Sequence, residues 1–365
     1  MRIMKKVLVI STNSLSANGV TNVIKNYFSE FGCDEFKIDF VFPRIKSRGI
    51  YEEFLKRGNI YEIRRDMLHI LSYFRGVVNL IKKNKYDIVH IHGNSRITVL
   101  ELFAAKLAGN NVRIVHAHST MCKSLVLHKL LKPLFDALCT HRLACGIDAG
   151  RFMFGDKPFN AINNGIDTEC FSFNESDRNR IRKKYNLQNK IVVGHVGTFV
   201  ETKNQSFFVD VLAYLQKKTD AYGAMLIGDG PLMGEVKAKA RDSAVNDIHF
   251  IGCTDCVSEY LSACDIIVMP SLHEGLPLTL IEEQANGLLC VVSDGITKEV
   301  DKTGNVKFVS LEAGAERWAD EVMSINDDKA RCERSAEAIK QIIDSGYSIG
   351  QEAAKLKAYY HRIVK

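Results

Sequence analysis

Two carboxylates lie eight positions apart in a stretch that combines a buried strand, a loop and a short helix. Asp265–Met269 is an apolar run typical of a buried parallel strand, and Pro277 suits the first turn of a helix. Glu274 lies in the intervening loop, and Glu282 is expected one to two turns into the helix. Because carboxylates accept hydrogen bonds from sugar and ribose hydroxyls, the stretch predicts a site for a ligand rich in hydroxyl groups.

The start of this helix adds a site for an anion. Leu278, Ile281 and Ala285 repeat at helical spacing, and Gly287 is placed to end the helix. The first N–H groups of a helix have no intrahelical acceptor, so together with the helix dipole they bind negative charge. The N–H groups predicted to do so belong to Gly275, Leu276, Leu278 and Thr279. A phosphorylated ligand with hydroxyl groups, such as a nucleotide sugar, fits both features.

The full string over residues 271–287, S-L-x-E-G-L-P-x-x-L-I-E-x-Q-A-x-G, carries a family resemblance. It is similar to the E-x(7)-E motif of the family-4 retaining glycosyltransferases, which have the GT-B fold. The resemblance extends over nearly the whole chain. It implies a retaining hexosyltransferase that uses a nucleotide diphosphate sugar, in capsule or exopolysaccharide synthesis, with Glu274 and Glu282 in the donor site.

The resemblance also implies roles for residues outside that string. Gly19 opens a helix where the family has a Gly-rich loop near the donor, and His118 matches a histidine that contacts the donor sugar. Lys203, followed by asparagine, matches the lysine that binds the donor diphosphate. Phe250 belongs to a strand beside the nucleotide base, and Thr198 stands where the family usually has a second diphosphate-binding residue, an arginine. The catalytic residues implied are His118, Lys203 and Glu274.

Two sets of side chains are of types that could bind a metal ion. The first is the four histidines at the ends of two predicted strands, His90, His92, His116 and His118; the second is His249 with Cys253, Cys256 and Cys264. The histidine set has no supporting carboxylate or cysteine, and the single C-x-x-C has no second pair. No Asp-x-Asp occurs in the chain. We therefore predict no metal and no cofactor, with Lys203 and the helix start neutralising the leaving group.

The elements that must position these residues alternate between strand and helix, which predicts doubly wound parallel sheets. The predicted fold is α/β of the GT-B type, with two Rossmann-like domains facing a central cleft. We place an acceptor-side domain at residues 1–172, a nucleotide-sugar domain at 173–347, and a helix at 348–365 that crosses back to the first domain. The predicted strands are Val7–Ser11, Lys37–Phe42, Asp87–His92, Arg113–His118, Arg142–Cys145, Ala161–Asn163, Ile191–Gly197, Ala224–Gly230, Ile248–Gly252, Asp265–Met269 and Leu288–Ser293.

Composition bounds the environment of the protein. A hydrophobic fraction of 46% and a charged fraction of 25% are those of a soluble globular protein, and ten cysteines without a secretory signal favour a reducing cytoplasm. The net charge of +6 is uneven: residues 1–170 carry 25 Lys and Arg against 15 Asp and Glu, and the remainder 24 against 28. A basic N-terminal half is compatible with peripheral contact to the anionic inner face of the cell membrane, or with an ordinary solvated surface. No nucleic-acid motif is present.

Two basic, partly apolar segments could lie on a membrane or pack on the sheet, Arg64–Lys85 and Lys123–Cys139. The acceptor is expected to be a glycan or a lipid-linked glycan. Two other functions stay open: another GT-B enzyme such as a sugar-nucleotide epimerase, and a non-catalytic sugar-nucleotide-binding subunit, for which Thr198 is the reason.

Overall fold

The computed structural model describes residues 4–16, 18–32, 35–122, 124–325 and 329–364. The chain divides into an N-terminal unit, residues 1–165 with 346–365, and a C-terminal unit, residues 166–345. Ala17, two positions before the loop glycine Gly19, and Lys123, which begins the second basic segment, lie outside the described residues. Of the helices in the described ranges, none combines the length and apolar composition that crossing a bilayer requires.

The N-terminal unit is built on a parallel sheet of seven strands. These are β1 (Lys5–Ser11), β2 (Phe36–Phe42), β3 (Ile60–Glu62), β4 (Ile88–His92), β5 (Val112–Ala117), β6 (His141–Ala144) and β7 (Asn160–Ala161). The helices are α1 (Gly19–Ser29), α2 (Arg48–Leu55), α3 (Ile70–Asn84), α4 (Val99–Leu107), α5 (Leu125–Leu130), α6 (Lys132–Leu138), α7 (Ile147–Phe154) and, from the end of the chain, α15 (Ile349–Ile363). A 3₁₀ turn, Arg96–Thr98, precedes α4.

The strand order of this sheet is β3-β2-β1-β4-β5-β6-β7, so the direction of winding reverses between β1 and β4. The central strands are apolar and buried on both faces, as parallel strands covered by helices must be. Helix α15 contributes Tyr360, which is fully buried, and its Glu352 accepts a hydrogen bond from the Asn163 backbone at 2.8 Å. The last helix is therefore part of the core of the N-terminal unit.

The C-terminal unit has a six-stranded parallel sheet. Its strands are β8 (Ile191–Val196), β9 (Tyr222–Ile227), β10 (Ile248–Gly252), β11 (Ile266–Met269), β12 (Leu289–Ser293) and β13 (Val306–Val309). Its helices are α8 (Glu175–Lys184), α9 (Gln205–Lys218), α10 (Met233–Asp242), α11 (Val257–Ala263), α12 (Leu278–Ala285), α13 (Gly314–Met323) and α14 (Arg331–Asp344). The order β10-β9-β8-β11-β12-β13 reverses between β8 and β11.

The core of the C-terminal unit forms where α9 and α13 cover one face of the sheet. Trp318 on α13 is fully buried, and its indole N–H donates to the Ser310 carbonyl at 2.9 Å. Phe208 and Leu212 on α9 are buried in the same cluster. This packing holds β8 and β11 in place, and the loops at their carboxyl ends carry the candidate site.

The prediction of two Rossmann-like parallel-sheet domains is confirmed. The predicted strands are present to within a few residues at their ends, but β3 and β13, both at sheet edges, were not predicted. The two units meet in sequence at 165/166 and 345/346, whereas the sequence analysis placed the boundaries at 172 and 347. Residues 166–172 join the C-terminal unit, where the Phe171 carbonyl accepts a hydrogen bond from Asn286 at 3.1 Å.

Candidate active site

A lysine and a glutamate meet at the switch point of the C-terminal sheet. Lys203 follows β8 and Glu274 follows β11, and ligands of open α/β sheets bind beyond the carboxyl ends of strands where the winding reverses. The two loops are joined by a hydrogen bond from the Leu272 N–H to the Thr202 carbonyl at 2.8 Å. Lys203 Nζ lies 2.6 Å from Glu274 Oε1, with side-chain exposures of 16% and 20%. A cation and a carboxylate that the sequence separates by 71 positions are thus in contact.

The loop that carries Lys203 is positioned by the glycine-rich turn after β9. Gly228 has a φ of +129°, and a Cβ placed on it would lie 2.1 Å from the Gly197 carbonyl oxygen. The Phe199 N–H donates to the Asp229 carbonyl at 3.0 Å. Any side chain at 228 would separate these two loops, so this glycine-rich turn positions the Lys203 loop by backbone packing.

The start of α12 lies next to this pair along the chain. Pro277 is the N-cap residue, and its carbonyl accepts from the Leu280 N–H at 3.1 Å. Leu278 and Thr279 are the first two helical residues, so their N–H groups have no acceptor within the helix. Glu282 is half-buried in the second turn. The predicted anion site is therefore the start of a short helix, where Pro277 is buried and Leu278 and Thr279 are half-buried. The contribution of Gly275 and Leu276 stays a prediction.

The sequence analysis missed two buried groups near Lys203. His195 in β8 is fully buried with its Nδ1 3.0 Å from the Val268 carbonyl, and burial lowers its pKa to about 4. Glu283 on α12 is also fully buried, and neither carboxylate oxygen has a hydrogen-bond partner among the described residues. Burial raises the pKa of Glu283 well above its ordinary value, an effect that the charge of Lys203 partly opposes. The sequence does carry a signal for each group: His195 is a polar residue within an apolar strand, and Glu283 is a charged residue on the buried side of a helix.

Thr198 and Phe250, the other residues of this unit predicted to bind the donor, are not part of the contact between Lys203 and Glu274. Thr198 is exposed in the loop after β8, and its carbonyl accepts from Gln205 Nε2 at 3.0 Å. Phe250 lies in the edge strand β10, half-buried, with its ring 6.2 Å from that of Phe199 and with Lys237 Nζ 5.4 Å from its centroid. The roles assigned to Thr198 and Phe250 stay predictions.

In the N-terminal unit, His118 lies directly after β5 and is held on three sides. Its Nδ1 is 2.9 Å from Asn164 Oδ1, its Nε2 is 2.8 Å from His92 Nδ1, and its backbone N–H donates to Asn94 Oδ1 at 2.9 Å. Burial lowers the pKa of His118 to about 4, although the bond to Asn164 opposes that shift. His118 is therefore a neutral, oriented imidazole at pH 7. Gly19 begins α1, and a Cβ placed on it would meet no atom within 4 Å.

His90, His92 and His116 extend from His118 into the core as a group of buried rings. His90 is stacked on His116, with centroids 5.4 Å apart, and its Nδ1 is 2.6 Å from the Tyr360 hydroxyl. Burial, followed by the neighbouring histidines, lowers the pKa of all three well below the ordinary value. One nitrogen from each lies within 4.8 Å of the others, so the described residues admit a metal ion here. The prediction that no metal is bound stays a prediction.

Comparison with known proteins agrees with this architecture. Residues 190–328 match the family model "Glycosyl transferases group 1", and residues 15–144 match "Glycosyl transferase 4-like". Among solved structures, Anabaena HepE in complex with UDP and glucose has a TM-score of 0.79 at 15% identity, covering 98% of this chain and 100% of HepE. WaaG, a glycosyltransferase involved in lipopolysaccharide biosynthesis, has a TM-score of 0.72 at 14% identity, covering 96% of this chain and 99% of WaaG. At these identities the structures show the fold alone.

Sequence relatives extend over most of the chain. EpsF of Bacillus subtilis (strain 168), which carries the name glycosyltransferase, is 33% identical over 339 residues, 87% of each chain. The Escherichia coli UDP-Gal:alpha-D-GlcNAc-diphosphoundecaprenol alpha-1,3-galactosyltransferase is 29% identical over 316 residues, 81% of this chain and 79% of its own. The chain is a glycosyltransferase of the GT-B fold, and it belongs to the family-4-like, group 1 glycosyltransferases.

Proposed function

We propose that the protein transfers a sugar from a nucleotide diphosphate sugar to a glycan or lipid-linked glycan acceptor, with retention, in the synthesis of a capsule or exopolysaccharide. The observation that carries the proposal is the contact between Lys203 and Glu274 at the switch point of the C-terminal sheet. Relatives support the setting: one is named for transfer to a diphosphoundecaprenol-linked sugar, and CapH of Staphylococcus aureus for capsular polysaccharide biosynthesis, at 24% identity over 68% of this chain.

In this proposal, Lys203 and the start of α12 stabilise the leaving diphosphate. When the bond between the anomeric carbon and the diphosphate breaks, negative charge develops on the departing oxygen. The ammonium of Lys203 and the N–H groups of Leu278 and Thr279 are preorganised positive charge, which stabilises that transition state without a metal ion. Glu274, freed from Lys203 by the diphosphate, would accept hydrogen bonds from sugar hydroxyls.

Retention is proposed to follow a front-face route. The acceptor hydroxyl oxygen bonds to the anomeric carbon on the face that the diphosphate leaves, and the hydroxyl proton passes to the departing phosphate oxygen. The proposal assigns no carboxylate as nucleophile: Glu274 is assigned to sugar hydroxyls and Glu282 to the ribose, and burial raises the pKa of Glu283 well above its ordinary value. The resemblance assigns His118 to the donor sugar. Both of its ring nitrogens already have partners, Asn164 and His92, so His118 would bond a sugar hydroxyl only by exchanging one of them.

A panel of nucleotide sugars tests the function directly. Thermal unfolding of the purified protein is measured with each, because a ligand stabilises by RT ln(1 + [L]/Kd). The best donor is then supplied with lipid-linked and free glycan acceptors, with and without EDTA, and the anomeric configuration of the product is determined. Inversion at the anomeric carbon, or an epimerised free sugar nucleotide, would contradict the proposal.

Glu282→Ala is expected to weaken binding of the bare nucleoside diphosphate by about 1–3 kcal/mol, because a carboxylate that accepts from the ribose diol makes a charge-assisted bond. Isothermal titration of the nucleoside diphosphate measures the change. Glu316→Ala, an exposed glutamate on α13 of the same unit, is the matched control and should bind as the wild type does. Equal affinities of the two variants would remove Glu282 from the site.

Peripheral membrane contact is proposed for two apolar segments of the N-terminal unit that have basic residues in or beside them, Arg64 and Arg65 before the first and Lys129 within the second. Residues 67–71 expose Leu68 to 92%, and α5 exposes Val126 to 69% and Leu130 to 70%. Val126 and Leu130 are four positions apart and share one face of α5, and Lys129 lies exposed between them in sequence. Apolar side chains that would insert below lipid headgroups, with basic residues nearby, are typical of a helix lying on an anionic bilayer.

The double variant Val126→Asp with Leu130→Asp is expected to lower binding to liposomes by about ten- to a hundredfold per inserted side chain, since burying a Leu or Val contributes about 1.5–3 kcal/mol. Co-sedimentation with vesicles of increasing anionic lipid content measures binding. Leu107→Asp, at an exposed leucine that ends α4, is the matched control and should not change binding. Binding by the double variant equal to that of the control would place the contact elsewhere.

A further inference from the structure

A cavity of about 510 Å³ lies within the N-terminal unit, outside the donor site proposed for the C-terminal unit. Thr12 follows β1 and Asn94 follows β4, the two strands between which the winding of this sheet reverses. Arg65 follows β3, and Met121 follows β5. The cavity is therefore bounded by loops at the carboxyl ends of four strands, where open α/β sheets bind ligands.

The cavity has one charged group among the described residues that line it, Arg65. Arg65 Nε donates to Glu101 Oε1 at 2.6 Å, and the Tyr73 hydroxyl donates to the same oxygen at 2.8 Å. Glu101 and Tyr73 are buried, while the Arg65 side chain is 19% exposed. A buried carboxylate without a cationic partner costs several kcal/mol of stability, so the ion pair between Glu101 and Arg65 is favoured in the folded protein. Glu101 therefore holds the guanidinium in place before a ligand binds.

This arrangement leaves the guanidinium suited to a second anion. The ion pair with Glu101 is made through Nε, and the terminal nitrogens of an arginine carry four further N–H donors in a planar fork. Such a fork binds phosphate oxygens in pairs. The neutral polar groups of Thr12, Asn94 and Ser95, which line the same cavity, can bond the remaining phosphate or sugar oxygens.

Apolar side chains adjoin the cavity in sequence on two sides. Met121 lines it and is 64% exposed, and the chain continues through Cys122 toward the exposed leucines of α5. On the other side, Leu68 and Leu71 follow Arg65 by three and six positions and are exposed. The cavity thus combines a fixed cation and a few polar groups with apolar side chains such as Ile97 and Met121, and further apolar side chains open to solvent lie beside it in sequence. Such a lining suits an amphiphilic anion, a phosphate or diphosphate ester on a hydrocarbon chain.

We propose that Arg65 binds the phosphate group through which the acceptor is attached to its lipid, and so selects lipid-linked acceptors over free glycans. This inference rests on the proposed function, because the ligand it assigns is the acceptor of that reaction. The hydrocarbon chain would lie over the exposed segments that contain Leu68 and Val126.

Binding of farnesyl diphosphate to the full-length protein tests the proposal without requiring sugar transfer. Arg65→Gln combined with Glu101→Gln removes both charges, so no buried carboxylate is left unpaired, and this pair is expected to raise the Kd by about ten- to a hundredfold. Arg75→Gln, an exposed arginine on α3, is the matched control and should leave the Kd unchanged. Because the donor site is itself proposed to bind a diphosphate, the titrations are made with that site saturated by the nucleoside diphosphate of the best donor. Under this condition Lys203→Ala should also leave the Kd unchanged.

Two further ligands separate the sources of the phosphate. Inorganic pyrophosphate is expected to bind more weakly than farnesyl diphosphate and to respond to the same pair of substitutions, and farnesol is expected to bind without responding. If the Arg65 and Glu101 pair has no effect and Lys203→Ala raises the Kd instead, the lipid phosphate is in the donor site and the proposal is wrong. Pyrophosphate binding as tight as that of farnesyl diphosphate would overturn the lipid assignment. If the wild-type protein binds no nucleotide sugar, the proposed function is wrong, and the binding of farnesyl diphosphate can still be measured.

Discussion

Lys203→Ala is expected to lower kcat for sugar transfer by about 10²–10³-fold or more, the usual cost of removing one preorganised group that stabilises charge in a transition state. The loss should exceed the rise in KM for the donor, because charge builds on the diphosphate as the glycosidic bond breaks and a cation there favours the transition state over the ground state. Steady-state kinetics with the donor identified by the thermal panel measure both parameters.

The structure supplies a matched control for this lysine. Lys239 in the same unit also makes an ion pair at 2.6 Å, with Asp210 on α9, and it lies away from the switch point on α10. Lys239→Ala should leave kcat unchanged while removing the same charge. Lys203→Ala leaves Glu274 without its ion-pair partner, which could destabilise the fold. Thermal unfolding curves of Lys203→Ala and of the double variant Lys203→Ala with Glu274→Gln show whether a loss of kcat comes from a folding defect or from lost catalysis. Near-native kcat in Lys203→Ala would mean that the leaving group is stabilised elsewhere.

Thr198 decides how far Lys203 acts alone. The resemblance places an arginine at this position, and the structure places an exposed threonine there. If no other basic residue replaces the missing arginine, Thr198→Arg should raise kcat; if one does, Thr198→Arg should change kcat little or crowd the site. Lys203 is the main charged contact in both cases. A different result is that the wild-type protein and the Thr198→Arg variant both bind nucleotide sugars and show no turnover with any acceptor. That result would favour the non-catalytic binding subunit over the enzyme.

Lowering the pH from 7 to 5 is expected to destabilise the N-terminal unit steeply. Burial lowers the pKa of His90, His92 and His116 well below the ordinary value, and that of His118 to about 4. In the unfolded chain the same groups take up protons near pH 6.5. Between pH 6.5 and about 4 the unfolded chain therefore binds more protons than the folded unit, so the free energy of unfolding falls as the pH falls.

The size of the effect follows from the number of groups. Each histidine that stays neutral in the folded state contributes a slope of up to about 1.4 kcal/mol per pH unit, so four contribute at most about 5 kcal/mol per unit once the pH is well below 6.5. Folded domains have only about 5–15 kcal/mol of stability, so even part of this slope is a large share of it. Urea unfolding curves at intervals between pH 7.5 and 4.5, with EDTA present and absent, measure the slope.

A substitution in the cluster provides the control. The ring nitrogens of His116 make no hydrogen bond of good geometry among the described residues, and only a weak interaction with the Ile162 backbone, so His116→Leu should raise stability at pH 7 and reduce the slope by the share of one histidine. His273→Asn, at an exposed histidine, should leave the slope unchanged. A slope near zero in the wild type would contradict the prediction, and a large loss of stability on adding EDTA would place a metal at the cluster.

The sequence determined the two-domain α/β fold of this protein, because period and composition are local properties of the chain. Apolar runs such as Asp265–Met269 can be satisfied only as strands covered on both faces, and the string over residues 271–287 specified its own loop and helix. What it could not specify were the edge strands β3 and β13, of three and four residues. Elements that short carry too little pattern to be distinguished from loops, and they form because a neighbouring strand offers unpaired backbone groups.

Tertiary structure alone decided which side chains meet and how they ionise. The motif identified Lys203 and Glu274 separately, but the 2.6 Å contact between them exists because β8 and β11, distant in sequence, are neighbours in the sheet. Arg65 gave no chemical signal in the sequence beyond the positive charge of its segment; its fixed position depends on a glutamate from α4 and a tyrosine from α3, both buried by packing. The low pKa of the histidines arises in the same way, because desolvation depends on what surrounds a group in space, and a sequence lists only what precedes and follows it.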